Sequence, residues 1–106
     1  MPTIRLTVAY DGTAYCGWQV QPERPTVQGT IEAAWFEIAR ERVRLTAAGR
    51  TDAGVHALGQ VAHLDVYTTL APEQLRRKVN DELPADIHVR DIAKAPHKFH
   101  ARHDAV

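Results

Sequence analysis

The feature that most constrains the fold is the order in which hydrophobic periodicity changes along the chain. From Thr3 to Tyr10 the period is two, with Ile4, Leu6 and Val8 on one side and Arg5 and Thr7 on the other. That is the pattern of a strand buried on one face. A polar loop with Pro22 and Pro25 follows, and Tyr15 and Trp18 in it are expected to pack over the sheet edge. From Val27 the spacing becomes helical, with Val27, Ile31, Trp35 and Ile38 in one apolar stripe behind an N-capping Thr26. Trp35 therefore reads as core. Residues 43–48 and 60–66 return to strand character on either side of a short glycine-bearing stretch, which predicts a long hairpin. Pro72 suits a first helical turn and Glu73 the positive end of its dipole, with Leu75, Val79 and Leu83 as the buried seam. Pro84 ends that helix, and Ile87 and Val89 begin a fourth strand running towards Ile92. The order strand, helix, strand, strand, helix, strand predicts an α+β fold. Two split βαβ halves with right-handed crossovers give a ferredoxin-like βαββαβ sandwich: an antiparallel four-stranded sheet with both helices on one face.

A chain of 106 residues has room for one domain and one core. Thirteen basic and thirteen acidic side chains cancel, so any nucleic-acid-binding face has to be local. The lone Cys16 cannot form an internal disulfide, which suits a reducing compartment. No apolar run is long enough to span a bilayer, and the start Met1-Pro2-Thr3 does not read as a signal peptide. A cytoplasmic protein without a membrane partner is the expectation.

The hairpin loop is Gly49-Arg50-Thr51-Asp52-Ala53-Gly54-Val55-His56-Ala57. Gly49 and Gly54 can take positive φ, letting the backbone turn tightly and approach a ligand. Asp52 at such a turn has the makings of a catalytic group, although most aspartates before Ala-Gly only bond the local backbone. Arg50 and Asp52, two apart on an extended segment, share a face. Arg50 can thus pair with Asp52 or engage a ligand.

This nine-residue string resembles the signature of the tRNA pseudouridine synthase A (TruA) family. Tyr10-Asp11-Gly12-Thr13, Gly17-Trp18-Gln19 and Thr26-Val27-Gln28 resemble the family's first loop and first helix start. Gly59-Gln60-Val61, Leu83-Pro84-Ala85-Asp86-Ile87 and Phe99-His100-Ala101-Arg102 follow in family order. His103 departs from the pattern, where relatives more often carry an aromatic or other residue. Members are more than twice as long, so residues 1–106 are expected to form the amino-terminal domain, without the carboxy-terminal half.

The resemblance implies the same ferredoxin-like fold and an isomerase that converts uridine to pseudouridine in the anticodon stem-loop of tRNA. It implies a homodimer in the complete protein, and no metal, nucleotide or redox cofactor. Asp52 matches the family's essential aspartate, whether it attacks sugar or base or removes a sugar proton. It must stay ionised while water is excluded, which calls for a cationic partner and local donors. Arg50 matches an arginine linked to base flipping, where a planar guanidinium can fill the vacated stack or bind phosphate. His56, Gln60, His100 and Arg102 fall at motif positions with supporting or RNA-facing roles. The family's substrate-stacking tyrosine falls beyond Val106, so this chain alone is expected to be inactive.

Other chemistries fit less well. His97, His100 and His103 lie three apart, with His88 nearby, but on an extended segment such side chains diverge, and no HExxH or cysteine pair supports zinc. The motifs of base deaminases and of RNA recognition domains are missing. Arg40, Arg42 and Arg44 could form a phosphate-contacting patch, but Glu37 and Glu41 dilute it, and most of them read as a solvated helix end. The competing reading from another class is a non-catalytic ferredoxin-like RNA-binding module, which the retained Asp52 disfavours.

Overall fold

The computed structural model describes residues 3–47, 54 and 56–95. Strand β1 (Thr3–Tyr10) buries Ile4, Leu6, Val8 and Tyr10, the alternation its sequence predicts. Helix α1 (Val27–Ala39) starts at Thr26, whose Oγ1 accepts the Gly29 N–H at 3.2 Å. A Cβ on Gly29 would stand 3.0 Å from that same oxygen, so a side chain there would crowd the cap and the Thr26 hydroxyl would have to shift by a few tenths of an ångström. The helix ends at Arg40, which takes the left-handed conformation (φ 54°) and donates its N–H to the Phe36 carbonyl. The Arg40 and Arg42 guanidinium carbons lie 5.7 and 5.0 Å from the Phe36 ring centroid, and both side chains are exposed. They form the solvated helix end expected of them, with an added cation–π contribution.

Strand β2 is shorter than its flanking pattern predicts, only Thr46–Ala47 among the described residues. Glu41 and Glu32 explain part of this. Glu41 accepts from the Trp35 indole and from the Tyr67 N–H, and Glu32 accepts from the Leu45 N–H, so side chains rather than a ladder satisfy this approach. Strand β3 (Ala57–Asp65) begins three residues earlier than expected. Helix α2 (Pro72–Glu82) has Pro72 in its first turn, and Gln74 reaches back to accept the Ala71 N–H at 3.1 Å. Strand β4 (Ile87–Lys94) completes the sheet.

The strand order is β2-β3-β1-β4, with every pairing antiparallel. This is the ferredoxin-like α+β arrangement predicted from the periodicities. Leu6, Val8, Ala62, Leu64, Val89 and Ile92 share one core with Ile31 and Trp35 of α1 and Leu75 and Val79 of α2. Arg5, Thr7 and Ala9 alternate to the opposite, uncovered face. Arg90 spans β1 on that face to reach the Leu58 carbonyl on β3 at 2.9 Å. On the outer edge of β4, Asn80 of α2 donates to the Val89 carbonyl and accepts its N–H, at 2.9 and 2.8 Å. A side-chain amide thereby stands in for one residue of a neighbouring strand. Among the described residues, no helix is long and apolar enough to cross a membrane.

Candidate active site

Register decides where the loops meet. Tyr10, the last residue of β1, lies between Ala57, the first of β3, and Ile87, the first of β4. The loop after β1, the loop entering β3 and the turn entering β4 therefore emerge at one end of the sheet. Loops clustered on a rigid sheet are where function concentrates.

Contacts among these three segments are specific. The loop after β1 opens with Asp11, whose Oδ1 accepts both the backbone N–H of Thr13, at 3.0 Å, and its hydroxyl, at 2.6 Å. These bonds cap a single 3-10 turn over Gly12–Ala14, which the Tyr15 N–H closes on the Gly12 carbonyl at 3.0 Å. They hold the Asp11 carboxyl below the usual carboxylate range, the Thr13 hydroxyl contributing most and its backbone N–H next. The turn points the Gly12 N–H at His56, and Nδ1 accepts it at 2.9 Å. Asp11 Oδ1 lies 3.1 Å from the same nitrogen. Two residues earlier, Gly54 at φ 78° donates its N–H to the Tyr15 carbonyl at 3.2 Å.

From the other side, the turn before β4 grips the same loop. Asp86 accepts the Asp11 N–H on its backbone carbonyl at 2.9 Å and the Tyr15 hydroxyl on Oδ1 at 2.7 Å. Burial first, and then this bond to a carboxylate, push the Tyr15 phenol up to about 12. Trp18 is buried against Tyr10, with ring centroids 6.0 Å apart, so both loop aromatics pack on the sheet as expected rather than offering a stacking surface. Gln28, buried on α1, joins three segments. Its Oε1 accepts the Val20 N–H at 3.0 Å, and its Nε2 donates to Glu32 at 2.8 Å and to the Leu45 carbonyl at 3.1 Å. It thus ties the loop after β1 to the segment that leads through β2 towards Asp52.

Arg50, Asp52, His100 and Arg102 lie outside the described residues, as do His97 and His103. His56 belongs to the bracing cluster. Gln60 sits opposite Val8, in step with Ala62 and Leu64, on the helix-covered side of the sheet. Asp11, Tyr15, Asp86 and Gln28 form the support that sequence reasoning missed. Tyr15 and Asp86 are 71 residues apart, and no local pattern pairs them. A glutamine at the start of an apolar helix stripe was the one readable signal. A groove of about 580 Å³, lined by the loop after β1 between Val20 and Thr26, by α1 and by Glu82 of α2, shares no residue with the His56 cluster. The titratable and backbone donor groups converge at the loop end and not in that groove. No three His, Cys, Asp or Glu side chains among the described residues are grouped to hold a metal.

Against known families, residues 6–104 match the model described as tRNA pseudouridine synthase. The chain belongs to that family. It is 47% identical over 106 residues to the tRNA pseudouridine synthase A of Maridesulfovibrio salexigens, covering 100% of the chain and 39% of the relative. It is 49% identical over 107 residues to the enzyme of that name from Rhodopseudomonas palustris, covering 100% and 43%. Against the one from a Geobacillus strain it is 46% identical over 103 residues, covering 96% and 42%. The chain thus spans about two-fifths of the length of these relatives. The pseudouridine synthase match covers Tyr10–Thr13, the Gly49–Ala57 string and Asp86, and the described residues among them, Tyr10–Thr13, Gly54, His56, Ala57 and Asp86, meet at one end of the sheet.

Proposed function

We propose that this chain is the amino-terminal domain of a tRNA pseudouridine synthase, which isomerises uridine to pseudouridine in the anticodon stem-loop of tRNA. The observation that carries the reading is the family match over residues 6–104, which includes the complete Gly49–Ala57 string. Asp52 is the catalytic carboxylate in this reading. The reaction breaks the bond between the ribose and the base nitrogen, turns the base, and joins the same sugar carbon to a base carbon. Atoms balance within the nucleotide, so no oxidant, metal or group carrier is required. Arg50 holds the space left by the flipped base, its planar guanidinium offering a stacking surface and a fork of donors to phosphate.

The complete protein works as a cytoplasmic homodimer, and its carboxy-terminal part supplies the second wall of the cleft and the cationic partner of Asp52. The isolated 106-residue chain is then inactive. Water screens the Asp52 charge and competes for its hydrogen bonds, so a preorganised electrostatic site is not assembled.

The test is pseudouridine mapping on an unmodified tRNA transcript treated with the complete protein. A second arm uses the 106-residue chain alone and then with the separately made carboxy-terminal part. New pseudouridine in the anticodon stem-loop from the complete protein is the expected result. Its absence there, with tRNA still bound, would favour the non-catalytic RNA-binding module. Turnover by the 106-residue chain alone would overturn the account of the cleft.

A further inference from the structure

We propose that His56 is a positioning residue that works through a bare Nδ1, as the acceptor that latches the signature loop to the loop after β1. The proposal rests on the reading of Asp52 as the catalytic carboxylate, four residues before His56 in the chain.

The geometry at Nδ1 offers two incompatible arrangements. Gly12 N–H points at the nitrogen from 2.9 Å, which requires a lone pair there and the ring proton on Nε2. Asp11 Oδ1, 3.1 Å away, could be reached only by a proton on the same Nδ1. Asp11 Oδ1 already accepts two hydrogen bonds from Thr13, whereas the Gly12 N–H belongs to a buried residue and has His56 as its acceptor. The neutral imidazole with Nε2–H gives the buried Gly12 N–H its acceptor, while the Asp11 carboxylate, 60% exposed, keeps its two Thr13 donors and has water to offset the Nδ1 lone pair that faces it. Moving the proton to Nδ1 would leave the Gly12 N–H without that acceptor, at the cost attached to an orphaned donor.

The latch does not act alone. Gly54 N–H to the Tyr15 carbonyl is a second tie between the same two loops, and Asp86 fixes the far side of the loop after β1 through the Asp11 N–H and the Tyr15 hydroxyl. Hydrogen bonds thus run from the turn before β4, through residues 11–15, to the end of the signature loop. His56 is the side chain that closes this path, and it acts on the reaction through the placement of the loop that carries Asp52. A displacement of about 1 Å at a reacting group can cost about a hundredfold in rate, so a loosened latch falls on turnover.

The experiment uses the complete protein and tRNA. In His56→Leu, which keeps bulk but offers no acceptor, kcat is expected to fall about tenfold to a hundredfold, with KM for tRNA little changed. His56→Asn places an amide oxygen near the Nδ1 position and recovers most of that loss. His56→Gln places its oxygen nearer the Nε2 position and does not. A wild-type kcat in His56→Leu would overturn the proposal, and so would recovery by Gln but not Asn, or a change confined to KM. Nitrogen NMR of labelled histidine in the wild-type protein, with His56→Asn assigning the signal, reads the tautomer directly whether or not His56→Leu folds. Nε2–H with bare Nδ1 is expected, and Nδ1–H would overturn the latch. Wild type and Asp52→Asn run in the same assay separate the two levels of the argument. Inactive wild type, or active Asp52→Asn, refutes the reading of the site and leaves the tautomer result to stand on its own.

Discussion

Replacing Gln28 with Leu should destabilise the 106-residue chain by about 2–3 kcal/mol, although leucine is the better hydrophobe. The side chain is 8% exposed and makes three hydrogen bonds, to the Val20 N–H, the Leu45 carbonyl and Glu32. Their losses are unequal. Val20 is 48% exposed, so water can replace its partner at small cost. Leu45 is 3% exposed, and its carbonyl loses a buried donor, worth about 1–3 kcal/mol. Glu32 keeps the Leu45 N–H and loses one charge-assisted bond, worth about another 1–2 kcal/mol when partly buried. Burial of the leucine methyls returns about 1 kcal/mol. Urea unfolding followed by circular dichroism measures the difference. The midpoint should fall with the slope unchanged, and thermal unfolding should shift down by about 10–20 °C for a domain of this size. A loss under about 0.5 kcal/mol would show that Gln28 is not the tie between α1 and the approach to β2.

Gly54→Ala should cost about 1 kcal/mol in the same assay, because φ is 78° while a Cβ there would meet nothing within 4 Å. An unchanged midpoint would show that the positive φ at Gly54 is not maintained. The Tyr15 phenol should titrate at about 12 instead of 10.0, read as the tyrosinate absorbance present in wild type and missing in Tyr15→Phe. Because the neutral phenol is the favoured form, this stabilisation is complete below about pH 10 and is lost as pH rises through about 12. A midpoint near 10 would remove the bond to Asp86. In the complete protein, Arg50→Lys should be severely impaired in turnover, since lysine keeps the charge and loses the planar fork; near-normal turnover at low salt would point to a purely electrostatic role.

The fold was legible because its signals are local. The alternation in β1, the Thr26 cap and the stripe of α1, and Pro72 and Pro84 around α2 each follow from short-range sterics and burial. The extent of β2 was not legible, because Glu32 and Glu41 divert its approach through bonds that cross 13 and 26 residues. The same holds for the site. Its sequence signature marks Arg50, Asp52 and His56, whereas the bracing depends on pairings of distant residues, such as Gly12 with His56 and Tyr15 with Asp86. Asp11 reads as a strand-ending turn residue and is one. Only the register of Tyr10 between Ala57 and Ile87 reveals that this turn also faces the signature loop.

Asp52→Asn in the complete protein, assayed for both pseudouridine formation and tRNA binding, tests the central claim most directly. The substitution keeps size and removes the ionised carboxylate, so the loss should fall on chemistry and not on folding or binding. The account predicts turnover below detection, with tRNA affinity within about threefold of wild type. Substantial remaining turnover would contradict it.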